Sequence, residues 1–167
     1  MSWQTLRLRG ERLAAAHHEW THMHNLIDDV LDSRWLWITA RLLLAVVFLS
    51  SGLAKLIDFQ GGLAEMRAAG LEPAGLFNIA TAVVLIGGSA LLVLDRVLWA
   101  GAGALALFLL LTILVVHRFW ALPEPLAKQA MFWALEHITV IGGLTAAAVA
   151  SRARRRLRAA RAREENA

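Results

Sequence analysis

Residues 105–116 read Leu105-Ala106-Leu107-Phe108-Leu109-Leu110-Leu111-Thr112-Ile113-Leu114-Val115-Val116. A helix on the surface of a soluble protein carries one apolar stripe and a polar face opposite it. Wound into a helix, this stretch is apolar nearly all round, so the solvent that suits it is hydrocarbon. Extended back to Val97, the run reaches twenty residues. At the helical rise, that length crosses about 30 Å of bilayer core. Three further runs match it: Trp35 to Leu56, Gly75 to Leu94 and Met131 to Ala150. Backbone groups in lipid must bond within their own segment, so all four runs are expected to be helices. The expected fold is all-α, a four-helix transmembrane bundle over residues 34–150 with spans at 35–56, 75–94, 97–116 and 131–150.

The composition agrees. The chain has 167 residues, room for one domain, and 58% of them are apolar. Its mean hydropathy is +0.55. A single soluble core of this size has no place for so much apolar surface. The net charge of +4 invites a nucleic-acid reading, but seven of the seventeen basic residues lie in the last sixteen positions, directly after an apolar run. That placement reads as a basic cytoplasmic tail, residues 151–167, beside anionic lipid, with no nucleic-acid partner. No cysteine is present, which removes disulfides and thiol chemistry by this chain. Residues 1–33 are polar and show no apolar stretch of the kind a cleavable signal peptide needs.

Lysine and arginine placement sets the expected topology. Arg7, Arg9, Arg12 and Arg34 precede the first run, Arg96 lies between the second and third, and the arginine-rich tail follows the fourth. Only Arg67, Arg118 and Lys128 lie in the other loops. The positive-inside rule puts both termini and the Asp95–Arg96 turn in the cytoplasm, and segments 57–74 and 117–130 outside. Within residues 1–33, Leu13, Ala16, Trp20, Met23, Ile27 and Val30 recur at helical spacing, an amphipathic helix suited to the membrane surface, to capping the bundle or to docking a partner. A short helix is expected near Gly62–Ala69, ended by Gly70 and Pro73, and an irregular stretch at Pro123 and Pro125. The small residues Gly52, Gly87, Gly88, Gly142 and Gly143 are candidate helix-packing positions.

Ionisable residues inside the spans carry the most information, since each costs roughly 2.5–3.5 kcal/mol at mid-bilayer. They are Arg41, Lys55, Glu136 and His137, with Asp58 and His117 at span edges. Following the helix directions, Lys55, Asp58, His117, Glu136 and His137 share one depth near the outer surface. They form a candidate polar cluster, with Lys55 and Glu136 as its ion pair. Arg41 shares a helical face with Lys55, about 20 Å away by rise, and is expected to snorkel to the cytoplasmic headgroups. Such a cluster either fixes helix register or handles a ligand or proton. His117 and His137 supply the minimum for haem ligation between two helices, and with nothing else to support it haem is the minor reading. His18 and His22 have metal-compatible i, i+4 spacing but no third ligand, so no metal site is assigned. No phosphate loop, nucleophile elbow or zinc-protease motif occurs.

The stretch from Arg41 to about Ala150 resembles the DoxX family of small four-helix bacterial membrane proteins. The matching pieces are Arg41 to Leu44, Phe48 to Phe59 with its Ser51-Gly52-x-x-Lys55-Leu56 core, the amphipathic Gly61 to Gly70, Gly87-Gly88, Thr112 to Trp120, and Glu136 to Leu144. Val83 to Ile86 stands where many members have an acidic residue before the second span's Gly-Gly, and Glu136-His137 stands where many have Lys or Asn. The resemblance implies a multi-pass inner-membrane protein associated with redox metabolism, since relatives are linked to thiosulfate:quinone oxidoreduction, quinone or catechol stress, and complexes with oxidative-stress enzymes. On that reading the chain is an accessory or quinone-linked subunit. Arg41, Lys55, Asp58, His117, Glu136 and His137 are its ligand-binding candidates, and Lys55 and His137 the donors to a quinone oxygen. Its partners are then the lipid bilayer, a soluble or membrane redox enzyme, and further copies of itself. The other readings are a non-catalytic scaffold that recruits a soluble partner through residues 1–33 or the tail, and a small-molecule permease.

Overall fold

A computed structural model describes residues 27–166. The chain divides into two units, 1–40 and 41–167. The amphipathic helix expected over 1–33, with its histidines, lies outside the described residues up to position 26; residues 27–32 are helical. Five helices follow: α1 (Arg34–Ile57), α2 (Phe59–Ala68), α3 (Ala74–Leu94), α4 (Leu98–Val115) and α5 (Leu126–Glu164), with a 3-10 turn at Phe119–Ala121. No strand occurs among the described residues. The fold is the expected all-α bundle, and α1, α3, α4 and α5 are each long and apolar enough to cross a membrane.

The apolar surface that decided the class is on the outside of the helices. Leu43, Val83, Leu107 and Ile138, one from each long helix, are all more than half exposed. Water does not tolerate so continuous an apolar exterior, and lipid does. The interior is built from small and medium residues: Ala45 and Phe48 of α1, Ala82, Leu85 and Leu92 of α3, Leu98, Ala102 and Leu105 of α4, and Ala134 and Leu144 of α5. Between lipid-facing helices, close backbone approach and dispersion replace the hydrophobic effect as the source of cohesion.

Glycines mark where the backbones meet. A Cβ at Gly52 of α1 lies 2.8 Å from Ile86 Cγ1 of α3, and one at Gly88 of α3 lies 2.6 Å from Leu105 Cγ of α4. At Gly101 of α4, a Cβ falls 2.8 Å from the Gly88 carbonyl oxygen, so this crossing is backbone on backbone. Gly143 of α5 faces Leu44 of α1. Gly87 and Gly142, expected to pack, instead face open space and are exposed. The physical reason is the 100° step between neighbours on a helix: in each Gly-Gly pair only the second residue points inward.

Two element boundaries differ from expectation. The short helix begins at Phe59 because the Asp58 side chain caps it, Oδ1 accepting from the Gly61 N–H at 2.9 Å. It ends as expected at Gly70, which has φ +73°. The fourth span starts at Leu126, immediately after Pro125, and runs without interruption through the basic tail to Glu164. Its 39 residues amount to about 58 Å of helix, roughly 20 Å of it beyond Ser151.

Candidate functional site

The charged residues and histidines within 41–167 lie toward the two ends of the bundle or in the α5 extension, while mid-span polar groups such as Ser89 bond to helix carbonyls. At one end, Lys55 emerges from the last turn of α1 with its side chain 13% exposed and its ammonium on the Glu65 carboxylate of α2. The Asp58 cap turns the chain back, and α2 thereby lays Glu65, ten residues on, over Lys55. On the α3 side, the fully buried Asn78 donates from Nδ2 to the Lys55 carbonyl oxygen at 3.0 Å. Its Oδ1 has no hydrogen-bond partner and lies against Gly62, where a Cβ at 2.3 Å has no room. The Gly52-x-x-Lys55 spacing now has a mechanical meaning. Gly52 lets α3 approach α1, and one turn later the same face receives Asn78.

The same end holds an aromatic group on α4 and α5. His117 follows the last turn of α4, where its N–H bonds to the Thr112 carbonyl at 3.1 Å. Trp133 and His137 stand at i and i+4 on α5, one above the other on a single face. The His117 ring meets both, with centroids 5.1 Å from His137 at 83° and 5.0 Å from Trp133 at 60°. Both histidines are half-buried. Edge-to-face contact sets the positive rim of one ring against the electron-rich face of the next. Each neutral imidazole keeps one N–H donor and one ring-nitrogen acceptor. Among the described residues, no three His, Asp or Glu side chains converge as a metal site requires.

The opposite end is built on Asp95, the αL residue that closes α3 (φ 56°). Arg41 of α1 is buried, 8% exposed, and donates from Nη1 to the Val93 carbonyl at 2.8 Å and the Leu92 carbonyl at 3.5 Å. The same nitrogen is 3.7 Å from Asp95 Oδ2. Ser151 of α5 donates to Asp95 Oδ1 at 2.7 Å, and Arg155 Nη2 stands 3.7 Å from that oxygen. Arg41 therefore satisfies the unpaired carbonyls and negative dipole end of α3.

Of the predicted site residues, the structure joins His117 with His137, with Glu136 beside His137 in the chain, while Arg41, Lys55 and Asp58 make their contacts elsewhere. The expected Lys55–Glu136 ion pair is replaced by Lys55–Glu65, and Glu136 is exposed one position round α5 from the inward face. Asp58 is an exposed helix cap. Arg41 turns inward onto α3 rather than snorkelling to headgroups. Sequence reasoning missed Glu65, Asn78, Trp133, Asp95, Ser151 and Arg155. Asn78 alone left a direct signal, as the one amide in an apolar run.

Residues 36–118 match the family model described as DoxX. No curated protein and no solved structure matches the chain.

Proposed function

The chain belongs to the DoxX family of membrane proteins, and from that premise we propose that it is a quinone-linked accessory subunit of bacterial inner-membrane redox or oxidative-stress metabolism, with both termini cytoplasmic. One observation carries the reading: two half-buried imidazoles, one just past the end of α4 and one on α5, packed edge to face and flanked by Trp133, at the edge of a lipid-facing bundle. A quinone head is a flat ring with two carbonyl acceptors, and it reaches its site through the bilayer. An aromatic wall with ring N–H donors suits it on both counts. Reduction of the quinone to the quinol takes two electrons and two protons. A partner redox enzyme supplies the electrons; the imidazoles hold the head and pass protons to its oxygens. His117 takes the second donor role expected of Lys55, whose ammonium is engaged by Glu65.

The test is equilibrium binding of a short-chain quinone analogue to the purified protein in mild detergent. His117→Leu and His137→Leu are each expected to weaken binding about tenfold, the worth of one hydrogen bond to a buried acceptor, while Lys55→Met leaves it unchanged. Equal binding by all four forms, or none by the wild type, overturns the proposal.

A further inference from the structure

Beside the Asp95 network, a groove of about 440 Å³ opens between the start of α4 and the inner part of α5. Its walls are Leu98, Trp99, Ala148 and Val149, and its polar rim is Arg152 and Arg155. Trp99 is 70% exposed on this surface. Arg155 is held toward the groove by Asp95, while Arg152 pairs with no acidic side chain among the described residues. The groove sits where the apolar part of α5 gives way to its arginine-rich extension, so its two halves differ sharply in character. We propose that this groove is a binding site for one anionic phospholipid, its phosphate on Arg152 and Arg155 and the upper part of an acyl chain against Trp99, Leu98 and Val149.

Charge complementarity and depth both select that occupant. A guanidinium presents paired N–H donors matched to phosphate oxygens. A tryptophan at the polar boundary of a span lies at the glycerol level of a neighbouring lipid, with its ring against the first methylenes. Basic clefts between helices at a membrane boundary are suited to acidic headgroups, whereas a free phosphate has no use for the apolar wall. The Asp95 contact also links the site to Arg41, so an occupied groove braces α1, α3 and α5 together.

The full chain, purified in mild detergent, is incubated with an equal mixture of phosphatidylglycerol and phosphatidylcholine vesicles, and retained lipid is counted by native mass spectrometry. Phosphatidylglycerol is expected to be retained in preference, and Arg152→Gln or Trp99→Ala to reduce retention about fivefold. The double change Arg161→Gln/Arg163→Gln removes more charge from the same helix, farther out, and is expected to leave retention unchanged. Thermal melts of each variant confirm that the bundle is intact; Arg152 and Trp99 are both exposed, so folding is expected to survive. Full retention by Arg152→Gln, equal loss in the distal double variant, or equal retention of phosphatidylcholine overturns the proposal.

Discussion

Arg41 holds a formal charge inside a membrane bundle because two things wait for it there: the last carbonyls of α3 and the carboxylate of Asp95. Take away the carboxylate and the charge stays where it is with less to balance it. Asp95→Ala is therefore expected to lower stability by about 2 kcal/mol, a value set below that of a fully buried pair because Asp95 is partly exposed. Asp95→Asn keeps a side chain that tolerates the αL turn and still accepts from Ser151, so its loss should be smaller. Thermal unfolding in detergent gives the order; a more stable Ala variant than Asn variant contradicts it. Lys55 offers a second test. A double-mutant cycle of Lys55→Met with Glu65→Gln should show a coupling of about 0.5–1 kcal/mol, and the same cycle with Glu136→Gln a coupling near zero. The place of Lys55 near the end of its helix and its need for an acid were legible in the sequence. Its partner was not, because Glu65 reaches it only after the Asp58 cap has folded α2 back, and a linear depth argument treats that segment as loop.

Helices, unlike side-chain partners, leave their mark directly in the chain. The four spans were legible to within a few residues because hydrocarbon imposes one length and one conformation on any segment that crosses it. The ends of α5 were less so. Pro125 permits a helix to begin directly after it, and the Arg/Ala tail has high helix propensity, so α5 continues beyond the apolar stretch at both ends. The Gly-Gly pairs announced close packing without saying which member packs. Gly101 and Gly103 make the sharpest contrast. Gly101→Ala drives a methyl into the Gly88 carbonyl, which cannot rotate away, and is expected to cost about 1–3 kcal/mol. Gly103→Ala enters open space and should stabilise α4 by up to about 1 kcal/mol through helix propensity. The two unfolding temperatures measured side by side check this, and equal effects contradict the α3–α4 crossing.

On the scale of the whole molecule, polar chemistry is sorted to the two ends of an apolar bundle. The Asp95 end brings together α1, α3 and α5 through Arg41, Ser151 and Arg155; the Lys55 end joins α1, α2 and α3 and carries the histidine pair of α4 and α5. The proposed topology has both termini cytoplasmic, on the strength of the arginines of the tail. The quinone and lipid proposals both depend on this sorting, which puts the histidines and the arginine groove at opposite ends of the bundle. Because the chain has no cysteine of its own, a single introduced thiol reports its position without background. The decisive measurement is labelling of intact cells with a membrane-impermeant maleimide, using Ala68→Cys in α2, Arg96→Cys in the α3–α4 turn and Ala162→Cys in the α5 extension. Ala68→Cys is expected to label in intact cells, and the other two only after the membrane is opened. Labelling of Arg96→Cys or Ala162→Cys from outside, or protection of Ala68→Cys, contradicts the four-span arrangement.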